Sequence, residues 1–467
     1  MPVLPLSGET FDVTVPVVVI GAGACGLTAA LMVADAGVEV LVLERDAVPQ
    51  GSTALSSGMI PACETRIQAA AGVSDSIEIM PADILSKAHG ETDEDMVRTI
   101  VAESGPTIDW LVDQHAIELT LVEGFLYPNH RELRMHAPVS RTGADLIGNF
   151  SQAAETAGID IMTEAQVVDL YADDHGLIGG LRLLRPDGTN EKLGCKALIL
   201  ACNGFGGNPE MLARLIPEMT DANYFGHMGN QGEAITWGEE LGAATADLGA
   251  YQGHGSVAHP HGILISWALM MRGGIQVNRE GKRFSNEHLG YSEQGRIVTA
   301  QPGSIAWNIF DQRIYDGGLD FEDFRQAIKS DAIRRADTLD DLVAITDLPK
   351  DDLLATMADI AALAAGQGKD EFGRDFTTMP GLEAPYYAVK VTGSLFHTQG
   401  GLKVNDQAQV MREDGRVLPN LFAGGGAARG VSGPSDWGYL SGNGLLTAVT
   451  LGRMAGRAAA RLCNGDA

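Results

Sequence analysis

The feature that most constrains this chain is a glycine turn held between a strand and a helix. Val17 to Ile20 is a β-branched run, Gly21-Ala22-Gly23-Ala24-Cys25-Gly26 has the spacing GxGxxG, and Ala24 to Ala36 reads as a helix. Val38 to Glu44 reads as a second strand that ends on an acid. The glycine spacing alone says little. Strand, turn, helix, strand and a terminal acid together are the opening unit of a doubly wound, Rossmann-type α/β fold that binds a dinucleotide. Gly21 permits the tight turn, Gly23 lets the backbone approach a pyrophosphate, and Gly26 lets the helix lie close to the sheet. The helix start at Ala24 then presents free N–H groups and a positive dipole end to the phosphates. Glu44 is expected on the ribose hydroxyls, with Arg45 beside it.

Length and charge narrow the rest. A chain of 467 residues predicts two domains, or one domain with a large insertion. The net charge of −28 and the lack of a basic stretch exclude a nucleic-acid binder. Cys25, Cys63, Cys195, Cys202 and Cys463 are scattered without a CxxC pair, so no metal, haem or iron–sulfur ligand set is implied. Their spacing fits reduced thiols, and the start lacks a charged leader, so a cytoplasmic location is expected. The apolar run from Val15 to Ile20 is too short for a transmembrane segment. His254, His259 and His261 do not have metal-ligand spacing, and no metal is expected.

Further along, helices are predicted over Thr92 to His115 and Thr142 to Ala157. Strands are predicted over Ile159 to Thr163, Gln166 to Tyr171, Gly180 to Leu184 and Ala197 to Ala201, with a hairpin turn at Asp187-Gly188. From about Tyr251 to Leu395 the pattern changes to a His-rich stretch, a turn at Asn278-Arg279-Glu280-Gly281, and polar helices over Asp320 to Ala365. This reads as an insertion. The α/β pattern resumes at Leu421-Phe422-Ala423-Gly424-Gly425 and closes with a helix from Asn443 to Leu462.

Several segments in order carry a family resemblance. Gly51-Ser52-Thr53-Ala54-Leu55-Ser56-Ser57-Gly58, Ala201-Cys202-Asn203-Gly204-Phe205-Gly206, His397-Thr398-Gln399-Gly400-Gly401-Leu402 and Ser441-Gly442-Asn443-Gly444 resemble the flavin-contacting segments of the fumarate reductase/succinate dehydrogenase flavoproteins. Val277 to Glu287, with Phe284-Ser285-Asn286-Glu287 at its end, is similar to the capping-domain motif of that family. The resemblance implies FAD, an FAD-binding domain formed by residues 1–250 and 396–467, and a capping domain of mixed α+β structure over residues 251–395. It implies cofactor contacts from Gly21, Gly23, Ala24, Gly26, Glu44, Arg45, Ser52, Thr53, Ser57, Gly58, Val167, Ala201, Gly204, Gly400, Gly425, Gly442, Asn443 and Leu445. Covalently flavinylated relatives carry a histidine near Ser52. None stands there in this chain, so noncovalent FAD is expected.

The family couples hydride transfer at flavin N5 to proton transfer at the neighbouring substrate carbon. Fumarate reductases use an arginine proton donor a few residues after the Phe-x-Asn-Glu motif, and Tyr291 occupies that place here. They also clamp a carboxylate with an arginine in the C-terminal segment, yet Val431 to Gly442 contains none. Both departures resemble the branch of 3-ketosteroid Δ1-dehydrogenases and cyclic-ketone desaturases, in which a tyrosine takes the α-proton. A second tyrosine and a backbone N–H polarise the ketone there, which makes Tyr439 and the Gly442 N–H the candidates. His397 is a fumarate-reductase feature, so the chain mixes the two branches.

The expected activity is FAD-dependent desaturation of a cyclic ketone or oxo-acid, the alternative being ene-reduction of an unsaturated carboxylate. Tyr291 needs a pKa lowered from about 10 by nearby cations or a hydrogen-bonded relay, with His288 as a candidate helper. Trp437, Trp110, Arg131, Arg134, His254 and His259 are the expected substrate contacts. The substrate is a small molecule. With no haem motif or cysteine cluster, the electron acceptor is oxygen, a quinone or a separate protein.

Overall fold

The computed structural model describes Pro2 to Gly465. Its larger sheet is built around Val13–Ile20, a buried strand flanked in parallel by Val40–Leu43 on one side and Asn190–Leu200 on the other. Strands buried on both faces need continuous apolar runs, which the valines of Val13–Ile20 and the Ala197 to Leu200 segment supply. Asp160–Met162 extends the sheet beyond Val40–Leu43, and Val417–Ala423 adds in parallel to Asn190–Leu200. Gln166–Ala172, Ile178–Leu184 and Asn190–Leu200 form an antiparallel meander, the last two joined through Gly188 at φ 85°. The helices Ala24–Asp35 and Asn443–Asn464 pack against each other and the sheet. Their contact is close because a Cβ on Gly452 would lie 2.4 Å from the Cys25 carbonyl oxygen.

The second sheet runs Ile263–Leu264, Tyr251–Ala258, Tyr386–Thr398, Ile305–Asp311 and Ile275–Asn278. Two boundaries differ from expectation. Tyr386–Thr398 is one continuous strand across the expected break at 395/396, and Asn223–Tyr224, which precedes residue 251, pairs with it. A long strand carries the chain from one sheet toward the other, so the cut between the two regions falls inside an element. The expected polar helices over Asp320 to Ala365 are three, Glu322–Lys329, Leu339–Thr346 and Lys350–Ala364, interrupted by the strand Ile333–Ala336. That strand is buried only at its two ends, Ile333 and Ala336, so its two central arginines masked it in the sequence.

Helix starts follow local chemistry. Asp93 accepts from the Met96 N–H to cap Glu94–His115, and Thr142 accepts from the Asp145 N–H to cap Gly143–Thr156. No helix among the described residues is long and apolar enough to cross a membrane.

Candidate active site

A long cavity runs from the glycine turn to the second sheet, lined at one end by the dinucleotide turn and at the other by the aromatic residues of the second sheet. The nucleotide end is lined by Gly21, Gly23, Ala24, Glu44, Arg45, Val167, Ala201, Cys202, Glu233 and Trp237. Gly21 sits at φ 107°, where a Cβ would lie 2.5 Å from the Ala201 carbonyl oxygen, and a Cβ on Gly26 would meet the Gly21 oxygen at 1.8 Å. Gly23 meets only Thr53 Oγ1, at 3.4 Å, which leaves its backbone open to the cavity.

Polar groups complete this end. Glu44 accepts from the N–H groups of Ala22 and Asp46, each at 3.0 Å, and so holds the turn to the second strand. Arg45 donates to the Gly229 carbonyl at 2.6 Å and to Glu233 at 3.2 Å. Glu233 Oε2 and Trp237 Nε1 are buried without a partner among the described residues. An acceptor and a donor left unsatisfied beside the cavity match a ligand rich in hydroxyl and amine groups. Ser52, Thr53, Ser57, Gly425, Gly442 and Leu445 also line the cavity. Gly58, Gly204, Gly400 and Asn443 do not. A Cβ at the three glycines would strike backbone or side-chain oxygen within 2.7 Å, so their task is close packing behind the cavity wall. Asn443 is buried and donates to Ser432 Oγ at 3.0 Å. The helix Asn443–Asn464 starts at Gly442, with φ 86° and no side-chain cap, so its free N–H groups and positive end face the cavity. The residues present fit FAD at both the pyrophosphate and ring ends.

The far end is a box of aromatic and neutral groups. Tyr291 opens the helix Tyr291–Thr299, which lies tightly on Tyr251–Ala258. A Cβ on Gly253 would be 2.4 Å from the Ser292 oxygen, and one on Gly295 would be 2.7 Å from the His254 nitrogen. This glycine-to-glycine approach puts the His254 and Tyr291 rings 4.9 Å apart, while Tyr439 lies 6.1 Å from Tyr291 and 5.6 Å from His397. Phe396 stacks on His254 at 5.2 Å, and Tyr127 meets Tyr291 edge-on at 6.4 Å. Tyr127, Phe396, Ser266, Trp267 and Ser441 were not singled out in the sequence. Of these, only Ser441 lay inside a recognisable motif.

Electrostatics at this end overturn one expectation. Burial raises the Tyr291 hydroxyl well above its usual pKa, the neighbouring Tyr439 adds to that, and a hydrogen bond from Ser441 only partly offsets it. Tyr439 is raised too, by burial. His288 does not help, because its Nε2 lies 3.1 Å from the Met270 carbonyl. Burial lowers His254 to about 3 and His397 to about 4, so both rings are neutral near pH 7. Among the described residues lining the cavity, Arg45 is the sole arginine or lysine, and it sits at the nucleotide end.

Five expected substrate contacts lie elsewhere. Trp110 is buried under the N-terminal unit, donating to Asp35 at 2.8 Å, with the Arg453 guanidinium over its ring at 5.3 Å. Arg134 is fully buried and tied to Asp75 and Asp83 at 2.9 Å each. Arg131 pairs with Asp83 and is otherwise exposed. Trp437 stacks on His89 at 4.4 Å, and His259 is exposed in the turn after Tyr251–Ala258. Buried acids and rings claimed the arginines and tryptophans, and sequence spacing does not reveal those partners.

Comparison with known proteins settles the family. Residues 16–445 match the model of the FAD binding domain family. The chain belongs to the FAD-binding domain family. It is an FAD-dependent oxidoreductase of the group acting on CH–CH bonds. A probable fumarate reductase, Ifc3, of Shewanella frigidimarina is 30% identical over 96% of this chain and 75% of its own length. The open conformation of a flavocytochrome c3 fumarate reductase superposes with a TM-score of 0.81 at 29% identity, over 97% of this chain and 79% of that one. The 3-ketosteroid-Δ4-(5α)-dehydrogenase of Rhodococcus jostii RHA1, with 4-androstene-3,17-dione bound, shares the fold at 24% identity and a TM-score of 0.77, over 98% of this chain and 99% of that one.

Proposed function

We propose that this protein interconverts a saturated carbonyl compound and its α,β-unsaturated form, and that the substrate is uncharged at the reacting end, as a cyclic ketone is. The observation that carries this reading is the absence of lysine and arginine from the described residues around Tyr291, Tyr439, His254 and His397. A dicarboxylate buried there would keep its full desolvation cost without a paired cation. A ketone oxygen needs only donors, and the Tyr439 hydroxyl, the His397 ring and the Gly442 N–H are the groups in place. Bound FAD supplies the two-electron chemistry by accepting or returning a hydride. The chain's own part is to hold the substrate, exclude water and move one proton at the α-carbon, the task we give to the Tyr291 hydroxyl.

Its raised pKa fixes how that proton moves. Tyr291 is protonated at rest, so it acts as a base only while its own proton passes on to a neighbouring hydroxyl, and Tyr439 is the one it donates to. A protonated phenol is equally ready to donate, which favours a second reading, reduction of an enone. Two anaerobic experiments separate them. Bleaching of the oxidised flavin by saturated ketones supports desaturation, and reoxidation of the reduced enzyme by enones supports reduction. Turnover of fumarate or succinate with no response to either ketone class overturns both.

A further inference from the structure

Beyond the pocket wall, a chain of three neutral side chains leads to the back of His397. Asn443, the first residue of the helix Asn443–Asn464, donates through Nδ2 to Ser432 Oγ at 3.0 Å. Ser432 Oγ donates to Gln399 Oε1 at 2.8 Å, and Gln399 Nε2 lies 2.8 Å from His397 Nδ1. All three are buried, with Gln399 at 4%, Ser432 at 1% and Asn443 at 1% exposure. Ser432 accepts from Asn443 and donates to Gln399, whose amide oxygen accepts while its amide nitrogen faces His397, so the run has one polarity. The ring's other face is set by glycine: a Cβ on Gly444 would be 2.7 Å from His397 Nε2. That bare helix start leaves Nε2 open to the cavity, without a hydrogen-bond partner among the described residues.

We infer that Gln399 is a positioning residue that locks His397 in the Nε2–H tautomer, making it a fixed neutral donor for the substrate's carbonyl oxygen. A neutral imidazole carries one N–H. When an amide N–H points at Nδ1, that nitrogen must accept, and the proton stays on Nε2. A competing partner is present, since the Thr398 carbonyl is 3.3 Å from Nδ1 and would hold the proton there instead. Gln399 decides between the two nitrogens. The same device disfavours a carboxylate substrate, because an amide at Nδ1 does nothing to stabilise an imidazolium. This assignment of substrate class rests on the proposed carbonyl chemistry, whereas the tautomer does not.

The test is nitrogen-15 NMR of histidine-labelled holoenzyme at pH 7, with His397 assigned by the resonance missing in His397→Gln. The expected spectrum shows protonated Nε2 and unprotonated Nδ1 in the natural protein, and transfer of the proton to Nδ1 in Gln399→Leu. In Gln399→Leu, kcat/KM for the ketone is expected to fall about tenfold, with FAD content unchanged. A natural protein carrying the proton on Nδ1, or a Gln399→Leu protein that keeps it on Nε2, overturns the inference. The spectrum of the natural protein decides even where Gln399→Leu does not fold. The expected tautomers in a protein that no ketone reduces or reoxidises would leave the positioning role standing and sink the carbonyl reading.

Discussion

The two ends of the cavity handle charge in opposite ways. At the nucleotide end Glu44, Arg45 and Glu233 stand beside the glycine turn. At the far end tyrosines, neutral histidines and phenylalanine surround the reacting region, and the arginines that sequence alone would place there are paired with acids elsewhere. On the proposed function, one cavity would bind a charged cofactor and a neutral substrate by confining its charges to one end. In low dielectric an unpaired charge is too costly to leave near the chemistry, so hydrogen-bond donors take over.

The largest effect that would break this contrast is at Tyr291. Tyr291→Phe should slow flavin reduction or reoxidation by the true substrate by about 10²- to 10⁴-fold, while leaving FAD content unchanged. Rapid-mixing spectroscopy checks it, and an unaltered rate would remove the phenol from the proton path. At the other end, Gly26→Ala should hinder folding and FAD retention, because its Cβ would sit 1.8 Å from the Gly21 carbonyl. The expected loss is about 3 kcal/mol, measured by urea unfolding, with a matching drop in bound flavin. Glu233→Gln should weaken FAD binding about tenfold, read by titrating the apoprotein, with little change in the rate of a saturated holoenzyme.

A pH effect tests the burial that makes the far end neutral. Burial lowers His130 to about 3, His136 to about 4 and His254 to about 3, all below the unfolded value of about 6.5. Between these values the unfolded chain binds more protons than the folded one, so stability falls as the pH drops from about 6.5 toward 4. The urea midpoint should therefore be steady from pH 7 to 8 and fall steeply between pH 6 and 5. A midpoint unchanged at pH 5 would show these rings already protonated, and the cavity less apolar than described. The smallest effect is expected at the surface. Arg131→Ala should change stability by no more than about 1 kcal/mol and leave substrate kinetics unaltered, whereas a large rise in KM would restore it as a substrate clamp.

Much of the fold was legible because it is local. The helix caps at Asp93 and Thr142 and the hairpin at Gly188 each act within a few residues, and periodicity placed their elements nearly to the residue. The insertion was visible as a change of pattern, but its exact limits were not, because Tyr386–Thr398 continues through the expected border. In the site, Tyr291, Tyr439, His254 and His397 all line one cavity, while Trp110, Trp437, Arg131, Arg134 and His259 do not. The former sit in glycine-framed motifs that fix backbone direction. The latter are large or charged side chains whose partners, such as Asp75, Asp83 and His89, are brought near by folding alone.

By itself, the amino-acid sequence determined the dinucleotide turn, since the positive φ of Gly21 and the close approach of Gly26 to the Gly21 carbonyl both act within the turn. Only the tertiary structure decided the protonation of Tyr291, which turns on how completely the second sheet and its helix shut out water and on the lack of arginine and lysine among the described residues lining that end of the cavity. A dihedral preference is a property of a residue and its neighbours. A pKa is a property of everything packed around the group.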